Sequence, residues 1–169
     1  MKAKSLLQDI SLWGYIFFGA IGLGATVYQM MVIVPEFERD IPHGMTAFAQ
    51  SHVEPRDFWT SPILNIGYLL VIITLVANWK TKRRKWLVLS IAFMIAASIF
   101  TMLYFIPRLK IMGILDDKAS TDLTLLTQTI KEWIITDKVR FWLTIVPAFF
   151  FALKAATVHP TESRQKSIA

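Results

Sequence analysis

The chain of 169 residues contains no cysteine. That excludes disulfides, iron–sulfur clusters, zinc–thiolate sites and thiol nucleophiles, and with them the membrane thiol–disulfide oxidoreductases. Charge is scarce as well: 18% of residues are Asp, Glu, Lys or Arg, whereas 54% are hydrophobic, above the roughly 45–50% of soluble domains. No long apolar stretch holds a carboxylate, which argues against a proton-coupled carrier. None holds a histidine, so the paired imidazoles of a membrane haem are missing. His43 and His52 lie in an acidic connection at a spacing that matches no metal motif, and no metal is assigned.

What is present is apolar length. A hydrocarbon core of about 30 Å needs about 20 apolar helical residues. Stretches 10–34, 58–79 and 86–107 are free of charge and meet that need. The first is too long for a cleaved signal peptide and lacks a small-residue cleavage site, so it is expected to remain as an anchor. A fourth stretch, 141–153, is short, rising only about 20 Å as a helix. Lys154 can snorkel at one end, and Arg140 is drawn toward the apolar zone at the other. Upstream, Ser120 or Thr121 followed by Asp122 is an N-cap signal, and Leu123, Leu126, Ile130, Trp133 and Ile134 continue at helical spacing. One long helix from about Thr121 to about Val158 is predicted, protruding from the membrane before entering it.

The formal net charge of +6 does not imply a nucleic-acid partner, because five cations fall in the hexapeptide from Lys80 to Lys85 between two apolar stretches. Such a cluster orients a membrane protein, with a lipid-headgroup site as the lesser reading. The Lys and Arg of the two ends agree with it, while the connection carrying Glu36, Glu38, Asp40, Glu54 and Asp57 is acidic. The expected fold is therefore all-α, a four-transmembrane-helix bundle with both termini cytoplasmic and the last helix extended outside the membrane. Residues 1–169 form a single integral membrane domain with spans of about 10–34, 60–79, 86–107 and 138–157, a short interfacial helix over 45–52 and a flexible tail over 159–169. The expected location is the bacterial inner (cytoplasmic) membrane.

Polar residues inside apolar spans are costly, so they mark the faces that turn inward. On the third span Ser90, Met94, Ala97, Thr101, Tyr104 and Arg108 follow one seam; on the last helix Trp133, Asp137, Arg140 and Thr144 follow another. Helices three and four are expected to meet along Thr101, Tyr104, Trp133 and Arg140, leaving Phe93, Phe100 and Phe149 to lipid. Ala20, Gly24 and Tyr28 share a face of the first span, and Asn65 and Tyr68 lie near the outer end of the second. Together these residues would surround a pocket at the outer membrane boundary. The plainer readings are close helix packing for Ala20 with Gly24 and Gly22 with Thr26, an interfacial aromatic belt for Tyr28, Tyr68 and Tyr104, and a structural ion pair for Asp137 with Arg140.

Several of these pieces resemble the anthrone oxygenase-like family of small four-helix membrane proteins, over roughly residues 12–155. They are Val34-Pro35-Glu36-Phe37 ending the first span, Phe58-Trp59-Thr60-Ser61-Pro62 opening the second, Thr101 through Pro107 closing the third, and Trp133, Asp137 and Arg140 opening the last. The family has Asn where this chain has Asp137, and commonly a polar uncharged residue where Arg108-Leu109-Lys110 follows Pro107. The resemblance implies a membrane-embedded oxidoreductase that oxidises a lipophilic phenolic or quinone-type compound with dioxygen, without metal or flavin cofactor. Arg140, Asp137 and Arg108 would be its catalytic residues, and Tyr28, Asn65, Tyr104 and Trp133 would bind the substrate. The alternative is a non-enzymatic membrane protein that uses the same pocket for a lipid or a partner membrane subunit. The implied partners are the bilayer, a lipophilic small molecule and, compatible with either reading, a second copy in a homo-oligomer.

Overall fold

The computed structural model describes residues 2–44, 47, 62–115 and 119–159, with the side chains of 2–4 and 62–65 outside that description. Four long helices carry the chain: α1 (2–39), α2 (Pro62–Asn78), α3 (84–111) and α4 (123–156), and no β-strand occurs among the described residues. Three helical segments, Ser5–Arg39, Arg84–Ile111 and Leu123–Ala156, are long and apolar enough to cross a membrane. The 17 residues of α2 reach about 25 Å, somewhat less than a bilayer core. The expected interfacial helix over 45–52, the family-like segment 58–61 and all of the tail beyond residue 159 lie outside the described residues, apart from residue 47.

Local chemistry explains the ends. At the start of α4 the Asp122 carboxylate accepts the backbone N–H groups of Thr124 and Leu125 at 2.9 and 3.1 Å, satisfying two donors that no helical carbonyl can reach. The α3 helix stops at Gly113, whose φ of 76° would strain any residue with a side chain. Gly113 N–H bonds to Lys110 and Ile114 N–H to Leu109, which closes the last carbonyls of the helix. Between α2 and α3 the Thr81 hydroxyl donates to the Asn78 carbonyl and accepts the Arg83 N–H.

Helix α1 packs on α2 and α4, and α3 packs on α4. Two cores result. The first joins Leu12, Tyr15, Ile16, Val71, Leu87, Ala152 and Ala155; the second joins Val34, Phe37, Phe105, Met112, Leu126, Ile130, Trp133 and Ile134. Among the described residues none of α2 enters the second core, which is built from the far ends of α1, α3 and α4. Outside, large apolar side chains stand open, Phe17 and Val76 among them, the exterior of a protein whose surroundings are themselves apolar.

A polar network runs through the first core. Gln8 donates to the Ala77 carbonyl, Asn78 to the Gln8 carbonyl and Thr74 to the Ser11 carbonyl. The Tyr15 and Ser90 hydroxyls share a bond of 2.8 Å, and Ser90 donates on to the Ala148 carbonyl at 2.6 Å. Side chains of α1, α2 and α3 thus hold backbone or hydroxyl groups of their neighbours, which fixes rotation about each helix axis.

Three expectations need correction. The Ala20 and Gly24 face of α1 is exposed, and a Cβ on Gly22 or Gly24 would touch nothing. Close approach occurs elsewhere, where a Cβ on Gly14 would stand 3.4 Å from Leu70 and one on Gly19 would stand 3.4 Å from Phe149. Phe93, Phe100 and Phe149 are half-buried and not fully open to lipid: Phe93 stacks on Phe151, Phe100 on Tyr104, and Phe149 packs against the first core. Helices α1 and α3 also continue past the expected ends at residues 34 and 107, to Arg39 and Ile111.

Candidate functional site

The helices run past those ends because each contains a π-helical turn just before a proline. The turns are Gln29–Ile33 before Pro35, Thr101–Phe105 before Pro107, and Phe141–Ile145 before Pro147. A proline lacks the N–H of the α-helical ladder and its ring collides with the carbonyl four residues back. Widening the preceding turn relieves that collision. Val34, Ile106 and Val146 each donate to the carbonyl five residues earlier, those of Gln29, Thr101 and Phe141, and the helix continues beyond the proline.

The residues at the starts of the three wide turns meet. Arg140, which caps the turn in α4, donates to the Asp137 carboxylate at 2.6 Å and to the Thr101 hydroxyl on α3 at 2.7 Å. Gln29 on α1 donates its amide to the other Asp137 oxygen at 3.3 Å. The Asp137 side chain is 1% exposed and that of Arg140 16%. Phe105 lies under the guanidinium at 4.6 Å and meets Trp133 edge to face at 6.1 Å. A charge pair so placed has lost most of its water, and each partner stabilises the other where neither would be tolerated alone. Two buried donors have no acceptor among the described residues, Arg140 Nε and Trp133 Nε1.

The expected contact of α3 with α4 is present: Arg140 reaches Thr101, and the Tyr104 hydroxyl bonds Thr136 at 3.1 Å. Arg108 is not part of the cluster. It lies over the Tyr104 ring at 3.5 Å and pairs with Glu132 at 3.4 Å, on the rim of an open cleft of about 240 Å³ lined also by Pro107, Leu125 and Thr129. The wide turn supplies the reason. An extra residue in the turn rotates the remainder of the helix by about 100°, so Phe105, Leu109 and Met112 face the core, Tyr104 packs at its edge, and Arg108 is turned out. Tyr28 is 58% exposed and Tyr68 55%, so neither turns toward Arg140. The side chain of Asn65 lies outside the described residues.

Gln29, Phe105 and Glu132 belong to the neighbourhood and were not singled out in the sequence. Gln29 carried a usable signal, as an amide in a charge-free stretch where polar groups must find partners. Phe105 did not, since its inward direction depends on the wide turn. Among the described residues no three His, Asp or Glu side chains gather as a metal site would require. No protein-family model matches the chain, and neither the curated proteins nor the solved structures compared with it contain a match.

Proposed function

We propose that the chain is an integral membrane protein of four spans with the Lys80 to Lys85 end and both termini in the cytoplasm, in a bacterial inner membrane, and that the Arg140 cluster near the outer boundary binds an oxygen of a lipophilic phenol or quinone-type compound. The buried, unpartnered donors Arg140 Nε and Trp133 Nε1 carry this reading. They lie on one face of α4 with the Phe105 ring against both side chains, so an oxygen-bearing aromatic molecule admitted beside Phe105 would meet two donors in an apolar setting. Arg140 would hold a phenolate. Asp137 would orient Arg140 and accept a proton from the ligand, with Gln29 and Thr101 holding both in place.

The resemblance to anthrone oxygenase-like proteins supports oxidation as the reaction. An anthrone-type methylene would lose two hydrogens and gain one atom of dioxygen as a carbonyl, while the other oxygen atom leaves with those hydrogens as water. The alternative function, binding a lipid or a partner membrane subunit, uses the same cluster without chemistry. Purified protein in detergent, incubated with a hydroxyanthrone and with its methyl ether, tests these readings. The hydroxy compound should raise the melting temperature, the ether should not, and Arg140→Gln should abolish the shift. Oxygen uptake matching ketone formation would support the enzyme. Binding without uptake would leave a phenol-binding protein without the oxidation, and absence of binding to the parent protein would overturn the phenol reading in favour of the lipid or subunit alternative. Asp137→Asn places the family's residue beside Arg140 and should strengthen phenolate binding.

A further inference from the structure

The opposite end of the bundle carries a second site that the Arg140 cluster does not involve. An open cleft of about 540 Å³ lies between the α2–α3 turn, the start of α3 and the end of α4, lined by Thr81, Lys82, Arg84, Lys85, Trp86, Lys154, Thr157 and Val158. Four of those side chains are cationic and none is acidic. Among the described residues none of the four forms an ion pair, and the acid close at hand, Asp9, is engaged by Arg83 at 2.6 Å. Arg83 is 7% exposed and also donates to the Val158 carbonyl at 2.6 Å, so it ties the turn to the end of α4 and holds the two walls of the cleft together. The cations that line the cleft are therefore additional to the one that builds it.

Below the cations the wall becomes aromatic. Lys85 Nζ lies 4.7 Å and Lys154 Nζ 6.0 Å from the Trp86 ring. Trp86 stacks on Phe151 at 5.8 Å, and Phe151 stacks on Phe93 at 5.6 Å, which makes a continuous ladder of rings down the α3–α4 seam. Phe150 and Leu153 beside it are exposed. A polar, positively charged cleft at the head of an apolar groove fits an amphiphile with an anionic head and a hydrocarbon tail. A soluble anion would use the cations but leave the ring ladder without a purpose.

We infer that this cleft is a binding site for an anionic phospholipid, with the phosphate held by Lys82, Arg84, Lys85 and Lys154 and an acyl chain lying along Trp86, Phe151 and Phe93. The basic hexapeptide then has two roles, orienting the chain and holding a lipid of the leaflet it faces. The site is independent of the proposed phenol site, and its failure would leave that reading untouched.

The test is retention of lipid by the full chain in detergent, read by native mass spectrometry with phosphatidylglycerol, phosphatidylcholine and inorganic phosphate as probes. The parent should retain phosphatidylglycerol at least tenfold better than phosphatidylcholine, and inorganic phosphate in excess should displace little of it. Each basic side chain near an anionic surface contributes roughly fivefold, so Lys85→Gln with Lys154→Gln should lower retention roughly 25-fold. The matched pair Lys110→Gln with Lys131→Gln, at the other end of the bundle, should lower it little. Arg in place of Lys at 85 and 154 should restore binding. Should the double Gln variant fail to fold, salt titration of the parent gives the same answer, since retention of the anionic lipid alone should fall as screening increases. Equal retention of the two lipids, or an equal loss in both pairs of variants, would overturn the proposal. Full displacement by inorganic phosphate would also overturn it, in favour of a site for the free anion.

Discussion

Arg140 on α4 donates to the Thr101 hydroxyl on α3 at 2.7 Å, and both residues stand where their helices widen ahead of a proline. The bond joins two wide turns at one level of the bundle, and Gln29 brings the third through Asp137. Wide turns recur at functional sites because they displace one residue from the regular ladder and re-aim its neighbours. Here they surround the one buried carboxylate of the described residues.

Removing one member of the buried pair should be worse than removing both. Arg140→Gln leaves the Asp137 charge in an apolar setting and is expected to destabilise by about 3 kcal/mol. The double variant with Asp137→Asn should recover part of that loss, giving a coupling well above the ~0.2–1 kcal/mol of exposed pairs. Unfolding in detergent measures it, and strictly additive effects would place the pair in water.

The register beyond the wide turn of α3 can be read by truncation. Phe105 is 2% exposed, whereas Tyr104 is partly open. Phe105→Ala should cost about 3 kcal/mol and Tyr104→Ala distinctly less. The reverse order in thermal unfolding would mean that α3 passes Pro107 without the extra residue.

The hydroxyl chain from Tyr15 through Ser90 to Ala148 should behave as one unit. Tyr15→Phe and Ser90→Ala are each expected to cost about 1 kcal/mol, the range of interhelical hydrogen bonds in apolar surroundings. Their double variant should lose less than the sum, because either change already breaks the shared bond. A denaturation series on the four proteins gives the comparison.

Absence of cysteine makes the chain its own background for topology mapping. Single cysteines at Lys82 and at Thr121, both exposed, should label from opposite faces of sealed vesicles. A cysteine at Asp40 should behave like the one at Thr121. Labelling of positions 82 and 121 from the same side would remove the proposed arrangement of spans.

Periodicity of polar groups made the Arg140 face legible in advance. Trp133, Asp137 and Arg140 follow helical spacing in the part of α4 that precedes its wide turn, and the structure buries Trp133 and Asp137 and half-buries Arg140 on that face. The same spacing brings Tyr104 to α4 but places Arg108 inward, where the structure does not have it, because the spacing assumes an unbroken period. Pro107 was the available sign, yet a proline alone does not say whether a helix ends, kinks or widens. Tyr28 was misplaced for a different reason. Its face of α1 carries small residues that fit helix contact equally well, and only the stripe of Gln8, Leu12, Tyr15 and Ile16 shows which side the neighbours occupy.

By itself the sequence determined the class of this protein: all-helical, with apolar helices of membrane-crossing length, of which the described residues contain three, and a long last helix started by Asp122. Those features come from local quantities, namely the apolar length a bilayer requires and the donors a helix leaves open at its start. Tertiary structure decided which polar residues meet. Gln29 finds Asp137 across 108 positions of chain and Arg140 finds Thr101 across 39. Such pairings depend on how three helices rotate about their axes at the level of their wide turns. That rotation is set by the summed packing of both cores, with the prolines shifting each helix by one residue, and no single stretch of sequence contains that sum.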